Sequence, residues 1–254
     1  MCGRYLIEDE AYADILEILN NINKRGNYTV AGGSSGGGGT SGVFDPSGAG
    51  DFVSKEFRRG EVFPTNLAPV IMCGGVSDTA DVGSDAGDGV GAAAGASVGA
   101  GVDGVDVATV KWGFPHWKNS GVIINARAET ALEKNMFKKP LRERRCVIPS
   151  SGFFEWSRSS DRKIKDKYLF RRPDEDMIFM AGMVNTFHDA QSLPYNAFII
   201  LTTSANDFVS PIHNRMPVIL SPDEIDLWLR DDDFMEYALQ RIGPELSAIQ
   251  EDTA

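Results

Sequence analysis

Cysteine is scarce in this sequence of 254 residues: Cys2, Cys73 and Cys146 are the only ones, an odd count that cannot pair completely. The last two lie in apolar, strand-like surroundings, so they read as reduced thiols and not as a disulfide framework. Histidine also occurs only three times, and CxxC and HxxxH spacings are absent. That pattern argues against a structural zinc site, and neither a metal nor a cofactor is expected. No stretch approaches the roughly 20 apolar residues that span a bilayer. The N-terminus lacks a basic region leading into an apolar core, so a soluble, intracellular chain without membrane association is expected.

Phosphate-binding loops are missing too. The glycine-rich residues hold no GxxxxGK[ST] pattern and no GxGxxG between strand and helix, which weakens a nucleotide-binding reading. Positive charge is in deficit, with 25 Lys and Arg against 36 Asp and Glu and a net charge of −11. Such a chain does not coat nucleic acid indiscriminately. The deficit is uneven, however. From Lys134 to Arg172 there are 13 Lys and Arg against four acids, Glu143, Glu155, Asp161 and Asp166. That segment is either a solvated face or a surface turned toward a polyanion.

What is present begins with a helix pattern. Tyr12, Ile15, Leu16, Leu19 and Ile22 follow amphipathic spacing, with Gly26 as a stop. Residues 31–50 are mostly Gly and Ser, and residues 74–106 mostly Gly, Ala, Asp and Val. Both are expected to be low-complexity insertions looping out of one domain. Short β-rich runs then follow one another, at residues 70–73, 107–112, 122–125, 146–148, 168–170, 177–184, 197–203 and 218–220. Further helix is expected near residues 129–135 and after Ser221-Pro222-Asp223-Glu224, a capping sequence. The fold class is therefore α+β, a single domain with a curved, mostly antiparallel sheet or barrel-like core and a few flanking helices. Its expected bounds are residues 1–235, followed by a helical tail over 236–254.

The chemistry is densest at Met1-Cys2-Gly3-Arg4-Tyr5. Removal of Met1 would leave Cys2 with a thiol and an α-amine on adjacent carbons. That 1,2-aminothiol condenses with an aldehyde to an imine and then closes to a thiazolidine. The two groups titrate near ~8.5 and ~8, so a neighbouring base would make both reactive. On its own Cys2 reads as an inert residue after the start codon.

Later stretches change that balance. They are Asn66-Leu67-Ala68-Pro69, Trp112-Gly113-Phe114-Pro115-His116-Trp117 and Ile124-Asn125-Ala126-Arg127-Ala128-Glu129-Thr130. Pro149 to Trp156, Thr202-Thr203-Ser204-Ala205-Asn206 and His213-Asn214-Arg215-Met216-Pro217 follow. Together with the N-terminal residues, and in this order, they resemble the SOS response-associated peptidase family, whose members cross-link to abasic sites in single-stranded DNA. The resemblance runs from Cys2 to about Leu229 outside the two insertions. It implies an active site of Cys2, Asn125, Glu155 and His213, and DNA contacts at Arg4, Asn66, Pro69, Trp117, Arg127, Thr202 and Arg215. It further implies a monomer acting on single-stranded DNA with abasic sites, cytoplasmic and nucleoid-associated on damage, or nuclear in a eukaryote.

The expected roles have physical grounds beside the resemblance. Glu155 lies among Phe153, Phe154 and Trp156, where desolvation raises a carboxyl pKa and suits it to proton transfer. A buried ion pair with an arginine is its structural alternative. His213 titrates in the useful range and suits opening of the sugar ring, while Asn125 both donates and accepts. Arg4, Arg127 and Arg215 offer forks for phosphate, and Trp117 offers either a stacking face or a core side chain. Asn214 stands where the family usually has aspartate, Asn135 where some relatives have arginine, and Lys118 where some have a second aromatic. Two other functions fit the sequence: an N-terminal-nucleophile cysteine peptidase, whose action extends no further than removal of Met1, and a non-covalent single-stranded DNA-binding module.

Overall fold

β-branched and aromatic runs of this kind form strands, and here five of them close into a ring. In the computed structural model, which describes residues 2–9, 11–25, 59–73, 104–118, 120–157 and 165–251, the first half contains β1 (Arg4–Ile7), α1 (Ala11–Arg25), β2 (Gly60–Val62), β3 (Leu67–Cys73) and β4 (Val105–Trp112). A small hairpin, β5 (Phe114–Pro115) and β6 (Val122–Ile123), leads to β7 (Asn125–Arg127), α2 (Ala128–Ala131) and α3 (Asn135–Glu143). Next come β8 (Arg145–Ser150), β9 (Gly152–Trp156), β10 (Lys167–Arg171), β11 (Ile178–His188) and β12 (Pro194–Ser204). The chain ends with β13 (Arg215–Pro217), β14 (Ile219–Leu220), α4 (Ile225–Arg230), α5 (Asp232–Gln240) and β15 (Ser247–Glu251). Residues 31–50 and 74–103, the bulk of the two expected insertions, lie outside the described residues.

Strands β12, β4, β3, β8 and β11 pair in that order, and β11 pairs back onto β12, closing a five-stranded barrel. All of these pairs are antiparallel except β12 with β4. A second sheet, β15-β10-β9-β1-β2, is antiparallel throughout. This is the expected α+β architecture with a barrel core. Every residue of β8 is buried, as are the first seven of β11. Strands covered on both faces read as continuous apolar runs, which is why 177–184 shows no alternation.

The two sheets share one chain. Strand β8 belongs to the barrel and β9 to the second sheet, with only Ser151 between them. The Leu6 carbonyl of β1 accepts from Ser150 Oγ at 2.9 Å and from the Ser151 amide at 2.8 Å. Gly152 is needed at the bend, because a Cβ there would stand 2.7 Å from the Phe170 carbonyl oxygen. The bend sets β9 beside β1 and brings the N-terminus against the barrel.

Several expected boundaries move. Strand β4 starts at Val105, inside the expected insertion, because Asn23 at the end of α1 exchanges two hydrogen bonds with the Val105 backbone at 2.8 and 2.9 Å. The single helix expected near 129–135 is two helices, and the second carries Pro140 and buries Phe137 and Leu141. The boundary expected at 235 falls within α5, whose buried Met235, Ala238 and Leu239 straddle it. Beyond it, Ser247–Glu251 forms an edge strand on β10 instead of continuing as helix or tail. Its side chains are mostly exposed, so no apolar alternation marks it in the sequence. The capping box at Ser221 forms as expected, with its amide donating to Glu224 at 2.9 Å.

Gly182 of β11 sits where the barrel is narrowest in tolerance: a Cβ would come within 2.6 Å of the Ile199 carbonyl oxygen and 2.4 Å of Ile148 Cδ1. Gly182→Ala should therefore cost about 1–3 kcal/mol through overpacking. Urea unfolding should show a lower midpoint at an unchanged slope. An unchanged midpoint would mean that β11 and β12 part at this position.

Candidate active site and nucleic-acid interface

Cys2 lies at the seam of the two sheets, fully buried, ahead of β1. Its thiol donates to the Arg4 carbonyl at 3.4 Å. Burial pushes the thiol pKa far above its ordinary range, and the Glu155 carboxylate pushes it further in the same direction. Tyr5 fills the space between Cys2 and the barrel, its ring 5.1 Å from that of Trp112. The Tyr5 hydroxyl is buried without a hydrogen-bond partner among the described residues.

Three separate elements bring polar groups to this cysteine. Strand β7 runs parallel to β12, pairing Asn125 with Ile200, and Asn125 Nδ2 donates to the Cys2 carbonyl at 2.9 Å. The other end of that amide, Oδ1, is buried and accepts no hydrogen bond among the described residues. Glu155 comes from β9 and is only 2% exposed. In the pairing of β1 with β9, Arg4 faces Phe154, so continuing the register sets the small Gly3 opposite Glu155. His213 comes from the loop ahead of β13, with Nδ1 3.5 Å from Glu155 Oε1. The same nitrogen is 3.0 Å from the Arg215 carbonyl oxygen and 3.1 Å from its amide, so the ring's tautomer decides which of them it bonds. The loop is fixed by Asn206, which accepts from the Phe208 and Val209 amides and donates to the Gly243 and Pro244 carbonyls. All four residues expected in the active site are thus close together, contributed by the N-terminus, β7, β9 and one loop. Asn214 gives its carbonyl to the Ala205 amide at 3.1 Å, closing the same loop.

The residues expected to contact DNA divide into exposed and buried sets. Trp117 at the tip of the β5–β6 hairpin is 74% exposed, with the Lys118 ammonium 4.4 Å from its ring centroid. This excludes the core-packing alternative. Arg127 is exposed as well. Arg4 lies over the rings of Phe63 and Trp156, at 4.5 and 5.0 Å, and pairs with Glu61 at 3.3 Å. Asn66 closes the β2–β3 turn by accepting from the Phe63 amide at 3.0 Å, a turn in which Thr65 has a φ of 75°. Pro69 and Thr202 are buried, and Thr202 Oγ1 donates to the Ala126 carbonyl at 3.4 Å.

Arg215 is held by protein groups. Its fork meets Glu129 at 2.5 and 2.8 Å, and its Nη2 also donates to the Thr202 carbonyl at 2.5 Å. The bonded guanidinium holds the Glu129 carboxyl below the usual carboxylate range. Glu129 stands in the quoted motif, yet nothing in its spacing says that it reaches an arginine 86 positions later. Glu61, which pairs with both Arg4 and Lys167, was equally hidden.

The basic segment from Lys134 to Arg172 does not form one continuous face. Arg145 is buried, donating to the Trp228 and Leu229 carbonyls and pairing with Asp232 at 2.7 Å. Arg142 pairs with Asp232 and Glu236, Lys139 with Glu143, Arg171 with Glu8 and Arg172 with Glu175. Arg158, Arg162 and Lys163 lie outside the described residues. Folding pairs several of those charges with acids, most of them from the rest of the chain, which a linear count does not register. Among the described residues no group of three or more His, Cys, Asp or Glu is arranged to hold a metal ion. No helix among them is long and apolar enough to cross a membrane.

Comparison with known proteins decides the family. The sequence pattern of the SOS response associated peptidase (SRAP) family matches residues 1–250. The chain belongs to this family. It is 36% identical over 140 residues to the abasic site processing protein YoqW of Bacillus subtilis, covering 52% of this chain and 62% of that one. It is 38% identical over 125 residues to the abasic site processing protein YoaM of the same organism, covering 47% and 55%. The matched region is thus under two thirds of these relatives' length. A crystal structure of a protein from Bordetella bronchiseptica shares the SRAP-type fold across 99% of this chain and 100% of its own, with a TM-score of 0.62 at 18% identity.

Thiol chemistry tests this arrangement. Cys2 and Cys146 are fully buried with raised pKa values, whereas Cys73 is only partly buried. In the native chain iodoacetamide should label Cys73 first, and label Cys2 and Cys146 only on unfolding, as read by peptide mass spectrometry. Because the unfolded thiols ionise near ~8.5 and the folded ones do not, the unfolded state binds fewer protons above that pH, and stability should fall as pH rises through it. Prompt native labelling of Cys2 would show that the seam is open.

Proposed function

We propose that this protein processes DNA lesions by capturing abasic sites in single-stranded DNA through Cys2, once Met1 has been removed. The supporting observation is the convergence of Asn125, Glu155 and His213 on Cys2 from three distant parts of the chain. The names of the relatives, abasic site processing proteins, agree with it.

An abasic sugar interconverts with an open-chain aldehyde. The Cys2 amine adds to the aldehyde carbon, and the resulting carbinolamine loses water to give an imine. The thiol sulfur then adds to the same carbon while its proton passes to nitrogen, so aldehyde and aminothiol yield thiazolidine and water with no redox change. A thiol held so far above its ordinary pKa supplies almost no thiolate in advance, so its proton must be taken as the bond forms. Glu155, protonated as the amine adds, is the acid for loss of water; the carboxylate that this leaves is the base that takes the thiol proton and passes it to nitrogen. His213 passes protons to and from the sugar ring oxygen during opening. Asn125 holds the Cys2 backbone through Nδ2, and its open Oδ1 accepts from the amine or from a sugar hydroxyl. Trp117 stacks on a neighbouring base, and Arg4 and Arg127 take phosphates. Asn66, Pro69 and Thr202 act by shaping the backbone around these groups, as their turn position and burial favour.

The test uses chain whose N-terminus is confirmed by mass spectrometry, mixed with a single-stranded oligonucleotide bearing one abasic site and resolved on a denaturing gel. A lesion-dependent band lost in Cys2→Ala is expected, formed about 10²-fold or more slowly in Glu155→Gln. Absence of that band with processed wild type overturns the reading. Cys2-dependent cleavage of unrelated peptides would then favour a peptidase, and lesion-independent binding that survives Cys2→Ala a non-covalent module.

Arg215 supplies a separate test. Its charge is balanced by Glu129, so Glu129→Gln should release it for a phosphate. The dependence of single-stranded DNA affinity on salt should then steepen by about 0.7 in log–log slope. An unchanged slope would make Arg215 a brace for the His213 loop and not a DNA contact.

A further inference from the structure

The end of β12 and the turn after it (residues 203–208) face α5 and residues 241–243, with residues from 128 to 133, in α2 and at its C-terminal end, also lining the space. Between them runs a groove of about 860 Å³. Two features set it apart from an ordinary surface cleft. Two large apolar side chains in its lining are open to solvent, Ile242 at 83% and Phe208 at 45% exposed. Its rim is carboxylate: Glu129, Glu133, Asp207 and Glu236 line it, and Arg241 is the only cation among the lining residues. That cation is engaged elsewhere, donating to Glu224 at 2.6 Å and to the Ile219 carbonyl at 2.7 Å. Glu129 is bonded to Arg215 and Glu236 lies 3.6 Å from Arg142, but Glu133 and Asp207 form no ion pair among the described residues.

The groove is also built in advance. Asn206 joins its two walls, donating from the β12 turn to the Gly243 and Pro244 carbonyls. Large apolar side chains held open in a fixed cleft mark an interaction surface. The charge around them selects the partner. Phosphodiesters would meet a row of carboxylates, so nucleic acid is excluded, and a second copy of a chain with net charge −11 is a poor match. We propose that this groove docks a segment of a partner protein that carries Lys or Arg beside bulky apolar side chains. Such a segment places its apolar side chains against Phe208 and Ile242 and its cations beside Glu133 and Asp207. This docking does not depend on the chemistry of Cys2.

The probe is a short fluorescent peptide alternating Lys with Leu and Phe, with a Glu-for-Lys counterpart, titrated against the full chain by anisotropy. Saturable binding of the Lys peptide is expected. The Glu133→Lys/Asp207→Lys variant should bind it about tenfold or more weakly and should gain binding of the Glu peptide. Asp14→Lys/Glu17→Lys on α1 makes the same change in net charge away from the groove and should leave affinity unaltered. Ile242→Asp should weaken binding at high salt as well as low, which a purely ionic attraction would not show. All the substituted groove positions are exposed, so circular dichroism should match wild type in each variant. Equal loss in the α1 variant, no effect of Ile242→Asp, or no saturation would overturn the proposal. Concentration-dependent dimerisation abolished by Ile242→Asp would overturn it in favour of a second copy.

Discussion

The Leu6 carbonyl accepts two hydrogen bonds at once, from the Ser150 hydroxyl and the Ser151 amide, and so pins β1 to the place where the chain leaves the barrel for the second sheet. Nearly everything functional in the molecule follows from that junction. It fixes the register of β1 against β9, which carries Glu155 toward the N-terminus. It also traps Cys2 in the seam between two sheets, where water is excluded. Gly152 is required there because β10 approaches too closely for a Cβ, and Ser150 supplies the hydroxyl that bonds Leu6.

Burial of a nucleophile has two opposed effects. It suppresses the thiolate and makes Cys2 inert toward adventitious electrophiles. It also strengthens every electrostatic interaction nearby, so a single carboxyl becomes an effective proton carrier. The structure favours the protonated thiol and keeps Glu155 beside it, an arrangement suited to an electrophile that is brought in and held. Arg215 shows the same economy of charge. Enclosed by Glu129 and the Thr202 carbonyl, it stiffens the strand that ends in the His213 loop, and its backbone meets the histidine ring directly. The acidic groove beyond Glu129 continues that balance, setting negative charge next to a surface where phosphate is expected.

Local pattern made much of the fold legible. Strand runs rich in Val, Ile and Phe announced the barrel, and the Ser221 capping sequence announced a helix start. What stayed hidden had weak local signals and strong long-range ones. Strand β15 is exposed on most of its length and exists because β10 offers an open edge. Strand β4 begins earlier than its composition suggests because a distant asparagine binds its first residue. The basic stretch after Lys134 offered a polyanion-facing surface, yet Arg142, Arg145, Lys167 and Arg171 pair with acids that folding brings from elsewhere in the chain.

The sequence by itself determined the family and the α+β class, and its motifs singled out Asn125, Glu155 and His213 beside Cys2, because those readings depend on residue types in a fixed order. It could not determine which arginines are free. Arg127 is exposed and Arg215 is bonded, though both stand in equally suggestive motifs. Nor could it separate Trp117, out in solvent, from Trp112 in the core. Those distinctions belong to tertiary structure, because desolvation and ion pairing arise between side chains that are remote in sequence and meet only when the barrel closes.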